Sequence, residues 1–491
     1  MDRSKEVRFG RSTTPGADFL QLTLDDAAPG GKTEQLARRL RDAIVDGRLP
    51  VGSRLPATRV LAAELRVSRG VVTEAYQRLA ESGQIAGRGR AGTVVVAAPA
   101  STDRTPAAEA AEPFATEPGE DVFDSLRLAP ARIDLSPGVP ELAAFPRAAW
   151  ARAERAVLNE LSAADLGYAD PRGTAVLRQA VSRWLARNRG VSADPDDVLI
   201  VGGVAQALAL LGKALRDNGV HEIAVEDPGS LGVRQHLRYW QLDTPPVPVD
   251  AGGVRVDELR ASGARAVLLT PAHQFPTGVV LGGQRRRELL RWAEEGGLIV
   301  EDDYDAEHRY DRAPAPALRA MLPDRVCYAG SVSKLLAPAL RIGWVVAPPE
   351  YREPLAAAKR FADLGNAVLP QLVLARMMES GALERHLRTL RTRHRRRRDA
   401  MIEAIRTHLP GAVVHGAAAG LYLTITFPAG FSDLTAAHEA LSRGVKVQPL
   451  SWHRQRPGDP GFVLGYAANS PADIAEGVAV LGEVLERRSA L

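Results

Sequence analysis

From Ile133 onward, short apolar runs alternate with helical stretches, and this alternation limits the possible folds more than any other feature of the chain. The runs are Val198–Val201, Ile223–Val225, Ala266–Leu269, Leu298–Val300, Val326–Tyr328 and Trp344–Val346. Helical stretches separate most of them, which predicts an α/β domain with a mostly parallel sheet. Ligands of such sheets gather at the carboxyl ends of the strands. The polar residues just after these runs are therefore the candidate site: Gly202-Gly203, Glu226-Asp227, His273-Gln274, Asp302-Asp303-Tyr304 and Ser331 to Lys334.

At 491 residues the chain exceeds one ordinary core, so two or more domains are expected. We assign residues 1–31 to a flexible N-terminal arm, 32–97 to a small helical head, 98–131 to a linker rich in Ala, Pro, Thr and Glu, and 132–491 to the α/β body. From about Gly381 a long Arg-rich helix (Leu383–Ile405) leads into a smaller C-terminal α+β segment, and its Arg391–Arg398 run reads as a solvated helix face. No stretch of about 18 apolar residues suggests a membrane span. The N-terminus, MDRSKEVRFGRSTT, lacks the apolar core of a secretory signal. Cys327 is the single cysteine, which fits a reducing cytoplasm and argues against a Cys-based metal site; no metal is expected.

Charge is uneven. The chain carries +4 overall, but residues 32–97 hold 12 Lys+Arg against 6 Asp+Glu, or +6, which leaves −2 for the remainder. A basic module on a slightly acidic body suggests a polyanionic partner. Within it, Thr33 to Asp46 reads as a helix with Leu36, Leu40 and Ile44 on one face, and Thr58 to Leu65 as a second. Ser68 can cap a third helix running to about Glu81. On that helix Val72, Ala75, Tyr76 and Leu79 face inward, and Arg69, Thr73 and Gln77 face solvent. Gln84 to Val96 reads as a hairpin with Arg88 and Arg90 near its tip. Three helices and a basic hairpin make a winged helix-turn-helix, whose third helix enters the major groove while its wing follows the backbone. RLPATRVLAAELRVSRGVVTEAYQRLAESGQI resembles the DNA-binding domain of GntR-type regulators. That resemblance implies Arg59, Arg69 and Thr73 as DNA contacts, with Arg88 in the wing; Ser68 and Gln77 share the same exposed edge.

The body carries a chemical clue of its own. The chain has only six lysines among its 63 basic Lys+Arg residues. Arginine cannot form an imine with an aldehyde; a desolvated lysine can. Lys334, in a Ser-rich turn at a strand end, is thus a candidate imine-forming lysine. Gly203, Val204 and Ala205 open a helix where backbone N–H groups can meet an anion. Ser331 and Ser333 can donate hydroxyls to a phosphate, and Arg341 offers a bidentate clamp. Asp302 could keep a pyridine nitrogen protonated and make the ring an electron sink, while Tyr304 could donate to a ring hydroxyl. Together these describe a pyridoxal 5'-phosphate site.

TPAHQFPTG, EDDYDAEHRY, SVSKLLAPALRIGW and YADPRGTAVLRQAVSRWL resemble the fold-type-I aminotransferase-like domain of the MocR/GabR subfamily of GntR regulators. The resemblance implies Lys334 as the internal aldimine lysine, Asp302 and Tyr304 as ring partners, and Ser331 and Arg341 as phosphate ligands. Tyr168 would reach the phosphate of a neighbouring subunit, which implies a homodimer. His273 and Gln274 would lie near the ring. Two positions depart from the pattern: Val463, in FVLGY, stands where an arginine for a substrate carboxylate is usual, and Ser230 stands where an aromatic residue often covers the cofactor. Arg234 is a possible substitute cation.

The expected protein is therefore a cytoplasmic, dimeric, pyridoxal phosphate-dependent transcription regulator. Its effector would be the cofactor itself or an amine or amino acid, with control of vitamin B6 synthesis as one outcome. The alternative is an active aminotransferase carrying a DNA-binding head.

Overall fold

The computed structural model describes residues 24, 31–89, 92–97, 114, 118–310, 314–428 and 430–489. It divides into two compact units, Met1–Ala110 and Ala111–Leu491. Arg90 and most of the expected arm and linker lie outside the described residues.

The first unit contains α1 (Gly31–Val45), α2 (Thr58–Glu64), α3 (Arg69–Glu81) and the antiparallel strands β1 (Ile85–Gly87) and β2 (Thr93–Val95). Its core gathers Leu36, Leu40 and Ile44 of α1, Leu61 of α2, Val72, Ala75, Tyr76 and Leu79 of α3, and Ile85 and Val95 of the hairpin. The four-residue spacing on α1 and α3 is what lets both helices bury one stripe against each other. Tyr76 satisfies its hydroxyl on the Pro56 carbonyl at 2.9 Å. Two expectations change. Ser68 occupies the N-cap position of α3, but its side chain makes no capping bond. Leu24, assigned to the arm, packs against the core.

The second unit begins with α4 (Val122–Leu128), β3 (Ile133–Asp134), α5 (Arg147–Glu160) and α6 (Ala175–Arg189). There follow β4 (Val198–Val201), α7 (Val204–Asp217), β5 (Ala224–Asp227), α8 (Leu231–Tyr239), β6 (Pro246–Asp250), β7 (Gly253–Val254), α9 (Val256–Ser262), β8 (Ala266–Leu269) and α10 (Gly283–Glu294). Next are β9 (Leu298–Asp303), β10 (Val326–Ser331), β11 (Gly343–Val346), α11 (Pro349–Asp363) and α12 (Val368–Glu379). The unit ends with α13 (Ala382–His408), β12 (Val413–His415), β13 (Tyr422–Thr426), α14 (Asp433–Ser442), β14 (Val445–Lys446), β15 (Gln448–Pro449), β16 (Gly461–Gly465) and α15 (Pro471–Ser489).

Eight strands form the central sheet in the order β4-β11-β10-β9-β8-β5-β6-β7. Strands β10, β9, β8, β5 and β6 run parallel, while β11 is antiparallel to both neighbours and β7 is antiparallel to β6. All six apolar runs are strands. β6 was missed because Pro246 and Pro248 read as breakers. They are tolerated one strand from the sheet edge, paired with Val225 and Asp227 on one side and flanked on the other only by the two-residue β7.

A smaller four-stranded sheet, β12-β13-β16-β15, packs with α13, α14 and α15. Its layer is not contiguous in sequence: β3 pairs with β14, and α4 buries Val122 and Leu126 in the same core. The stretch 98–131, expected to be linker throughout, therefore ends in an ordered helix. Two apolar residues four apart sufficed for it, too short a pattern to separate from noise. On α13, Arg391, Arg393, Arg395 and Arg396 are exposed as expected, but the face turns inward at its end. Arg397 donates to Glu141 at 2.9 Å, and the Arg398 guanidinium lies 5.0 Å from the Tyr310 ring centre.

Candidate functional site

Strand ends β9 and β10 deliver the chemistry. Asp302 and Asp303 are neighbours on β9, so their side chains point to opposite faces of the sheet. Asp303 turns back into the fold: Arg189 Nε donates to its Oδ2 at 2.5 Å and the Tyr328 hydroxyl at 2.7 Å. Asp302 turns into a cavity of about 930 Å³ whose lining includes Lys334, Tyr304, Arg341, Glu226, Ser230 and Arg234.

Asp302 is buried, and among the described residues its Oδ1 accepts no hydrogen bond. Burial, reinforced by Asp303 and Asp305, pushes its carboxyl up to about 7. Lys334 reaches across from the turn after β10 and donates to the Gly138 carbonyl. Burial lowers its pKa, against the opposing pull of Asp305 and Asp302, which favours the neutral, nucleophilic amine.

Gly203, which is not among the lining residues but adjoins the cavity's Arg341, precedes α7 with φ of 94°, a conformation that favours glycine. A Cβ there would lie 3.3 Å from the Arg341 guanidinium. The N-terminal N–H groups of α7, at Val204 and Ala205, and the Arg341 fork thus border one small anion cradle. Ser331 is buried at the end of β10, where its hydroxyl accepts the Ser333 N–H at 3.3 Å.

Tyr304 lines the cavity, whereas His273, Gln274 and Tyr168 do not. The Tyr304 hydroxyl donates to the His273 carbonyl at 2.9 Å and lies 2.8 Å from the Tyr422 hydroxyl. His273 is buried outside the cavity lining, its Nδ1 2.8 Å from Asp305 Oδ2. Gln274 also lies outside the lining, because its amide is used to hold a turn. Its nitrogen donates to Pro228 and Phe275 carbonyls at 2.8 and 2.6 Å, and its oxygen accepts from the Thr277 N–H and hydroxyl. Tyr168 is 95% exposed and does not line the cavity.

The two departures now have surroundings. Ser230 caps α8 by accepting the Val233 N–H at 3.3 Å. Val463 is fully buried on β16 beside Tyr422 and Leu450, with Phe275 and Tyr304 packed on the same cluster. Arg234 lines the cavity, but its guanidinium donates to the carbonyls of Gly229, His453 and Trp452 at 3.1, 3.2 and 2.8 Å. It holds two loops together. Tyr422 escaped the sequence reading because only the tertiary fold brings β13 to β9. Glu226 was flagged with its strand end: it accepts both the N–H and hydroxyl of Thr270, and burial raises it to about 7.

These residues fit pyridoxal phosphate. The orphaned Asp302 oxygen suits a protonated ring nitrogen, the Gly203–Arg341 cradle suits the phosphate, and Lys334 suits the aldehyde. When bound, the cofactor supplies an electrophilic carbon and an electron-withdrawing ring. In the cofactor-free protein, a raised Asp302 pKa favours the folded state below about pH 4, and that contribution is lost as pH rises through about 7. Asp302→Asn is therefore expected to flatten the decline in melting temperature over this window. Glu226, Glu301 and Glu307, raised by burial to about 7, 7 and 8, keep part of it.

Comparison with known proteins agrees with this geometry. The GntR family of bacterial regulatory proteins matches residues 32–95, and the family Aminotransferase class I and II matches residues 131–478. The chain is 32% identical to the probable rhizopine catabolism regulatory protein MocR of Rhizobium meliloti, covering 93% of this chain and 94% of that protein. It is 30% identical to the pyridoxine biosynthesis transcriptional regulator PdxR of Corynebacterium glutamicum, covering 92% and 95%. The body superposes on a multiple substrate aminotransferase from Thermococcus profundus with a TM-score of 0.69 at 29% identity, over 76% of this chain and 96% of that one. A DNA-binding head joined to a pyridoxal phosphate body, matched along nearly the full length of its relatives, places the chain in the MocR/GabR subfamily of GntR transcription regulators.

Proposed function

We propose that this regulator senses pyridoxal 5'-phosphate itself and thereby controls vitamin B6 synthesis. The observation that carries the reading is the burial of Val463 in an apolar and aromatic wall, where amino-acid binders need a cation. Loss of a charge-assisted contact of roughly 1.5–3 kcal/mol weakens amino acids but leaves the phosphate cradle intact. The relative named as a pyridoxine biosynthesis regulator supports the same conclusion. Lys334, Asp302, Tyr304, Ser331, Ser333, Arg341 and the 203–205 turn hold the cofactor. The exposed Tyr168 serves a second copy's phosphate in a homodimer, which suits paired DNA half-sites. Arg59, Ser68, Arg69, Thr73, Gln77 and Arg88 are all exposed and form the DNA edge, with Arg69 Nε 3.3 Å from Thr58 Oγ1. The protein acts in the cytoplasm.

The test is the affinity of the full chain for DNA upstream of its own gene, with and without pyridoxal phosphate or amino acids. Affinity should change with the cofactor and ignore amino acids. Arg69→Ala should weaken binding and lower the log–log salt slope by about 1, with the cofactor's visible band retained. A response to amino acids with none to the cofactor overturns the sensor reading, and release of keto acids with turnover favours the aminotransferase alternative.

A further inference from the structure

The cavity extends beyond the residues assigned to the cofactor. Its lining also includes Phe123 and Leu126 of α4, Val139, Pro140 and Leu142 of the loop after β3, and Val233 of α8. The loop is held beside the amine, because Lys334 Nζ donates to the Gly138 carbonyl and a Cβ on Gly138 would lie 3.2 Å from it. The α4 side is equally fixed. The Phe123 ring lies 3.3 Å from the place of a Cβ on Gly232 and meets Trp452 edge-on at 6.0 Å. Gln235 donates to the Gly119 carbonyl at 2.8 Å.

Among the described residues, the guanidiniums that line this cavity are those of Arg127, Arg234 and Arg341. Arg234 is committed to three carbonyls, and Arg127 keeps a solvent-exposed pair with Asp124 at 2.9 Å. Arg341 borders the anion cradle at Gly203. The polar floor is instead acidic, with Glu226 and Asp302. An anionic group entering here would face carboxyls and lose its hydration without replacement.

We propose that the space between α4 and the 138–142 loop is a subsite for a primary amine with an apolar body and no carboxylate, such as an arylalkylamine. The inference rests on the cofactor reading above and adds a ligand class to the same site. The apolar body displaces water from Phe123 and Leu142, while the amine lies towards Lys334 and the acidic floor.

The experiment is calorimetric titration of the full chain, loaded with pyridoxal phosphate, with 2-phenylethylamine, L-phenylalanine and ethylamine. Phenylethylamine should bind at least about tenfold more tightly than either of the others, since one carries the unwanted carboxylate and the other lacks the apolar body. Leu142→Arg, at a half-exposed rim position that tolerates a charge, should shift the preference towards L-phenylalanine. Equal or tighter binding of L-phenylalanine or ethylamine by the unaltered protein overturns the subsite alone. A chain that develops no visible band with pyridoxal phosphate fails before any amine is added, which overturns the cofactor reading and this inference with it.

Discussion

Lys334→Ala is expected to abolish the visible band that pyridoxal phosphate gives with the protein, and with it the capacity of borohydride to fix the cofactor covalently. Few side chains could substitute. Among the described lysines, Lys359 pairs with Asp363 at 2.6 Å, Lys446 with Asp134 at 3.4 Å and Lys213 with Asp217 at 2.7 Å, and none of these three lines the cavity. Lys334 does line it, and its burial favours the neutral amine. Lys334→Arg should lose the band equally, because guanidinium keeps the charge but is not a nucleophile at neutral pH. This separates covalent chemistry from simple charge balance near Asp302 and Asp305. Covalent retention of the cofactor by either variant would show that Lys334 is not its attachment point. Reduction, digestion and mass spectrometry give the direct reading.

Arg189→Ala is expected to cost about 3–5 kcal/mol of stability, the usual consequence of removing one partner of a buried ion pair. Arg189 and Asp303 side chains are each about 1% exposed and meet at 2.5 Å. Burial opposes the charge of Arg189, but Asp303, Tyr328 and Glu301 more than offset it, so its pKa is raised. The arginine also donates to the Ala315 carbonyl at 2.6 Å, joining the end of α6 to the segment before β10. Among the described residues, its loss leaves the Asp303 carboxylate with only the Tyr328 hydroxyl. The double variant Arg189→Met with Asp303→Leu should recover much of the loss, because an apolar pair has no charge left unpaired. Denaturant unfolding checks both; a single-variant loss below about 1 kcal/mol would mean that water or a neighbour replaces the arginine. Asp303 shares β9 with Asp302, so this pair also anchors the strand end that presents Asp302 to the cofactor.

The sequence by itself marked a helical head and an α/β body and supplied the candidate site residues proposed above. Six apolar runs marked six strands of the central sheet, because a strand buried on both faces must be apolar throughout. The stripes on α1 and α3 marked the head, because a helix buries residues four apart. Lys334 stood out through the scarcity of lysine, and Asp302 through its place just after an apolar run. These signals are local, readable within a few residues. What the tertiary structure alone decided depends on contacts between distant parts of the chain. The Tyr304–Tyr422 pair joins residues 118 apart, and Arg234 reaches a carbonyl 218 residues away. Gln274, expected near the ring, proved committed to its own turn, and α4, read as linker, became a cavity wall. Val463 was visible as a missing cation, but only packing showed an apolar wall around it. No local pattern records which side chain a sheet register or a domain core will set opposite another, so these features waited on the fold.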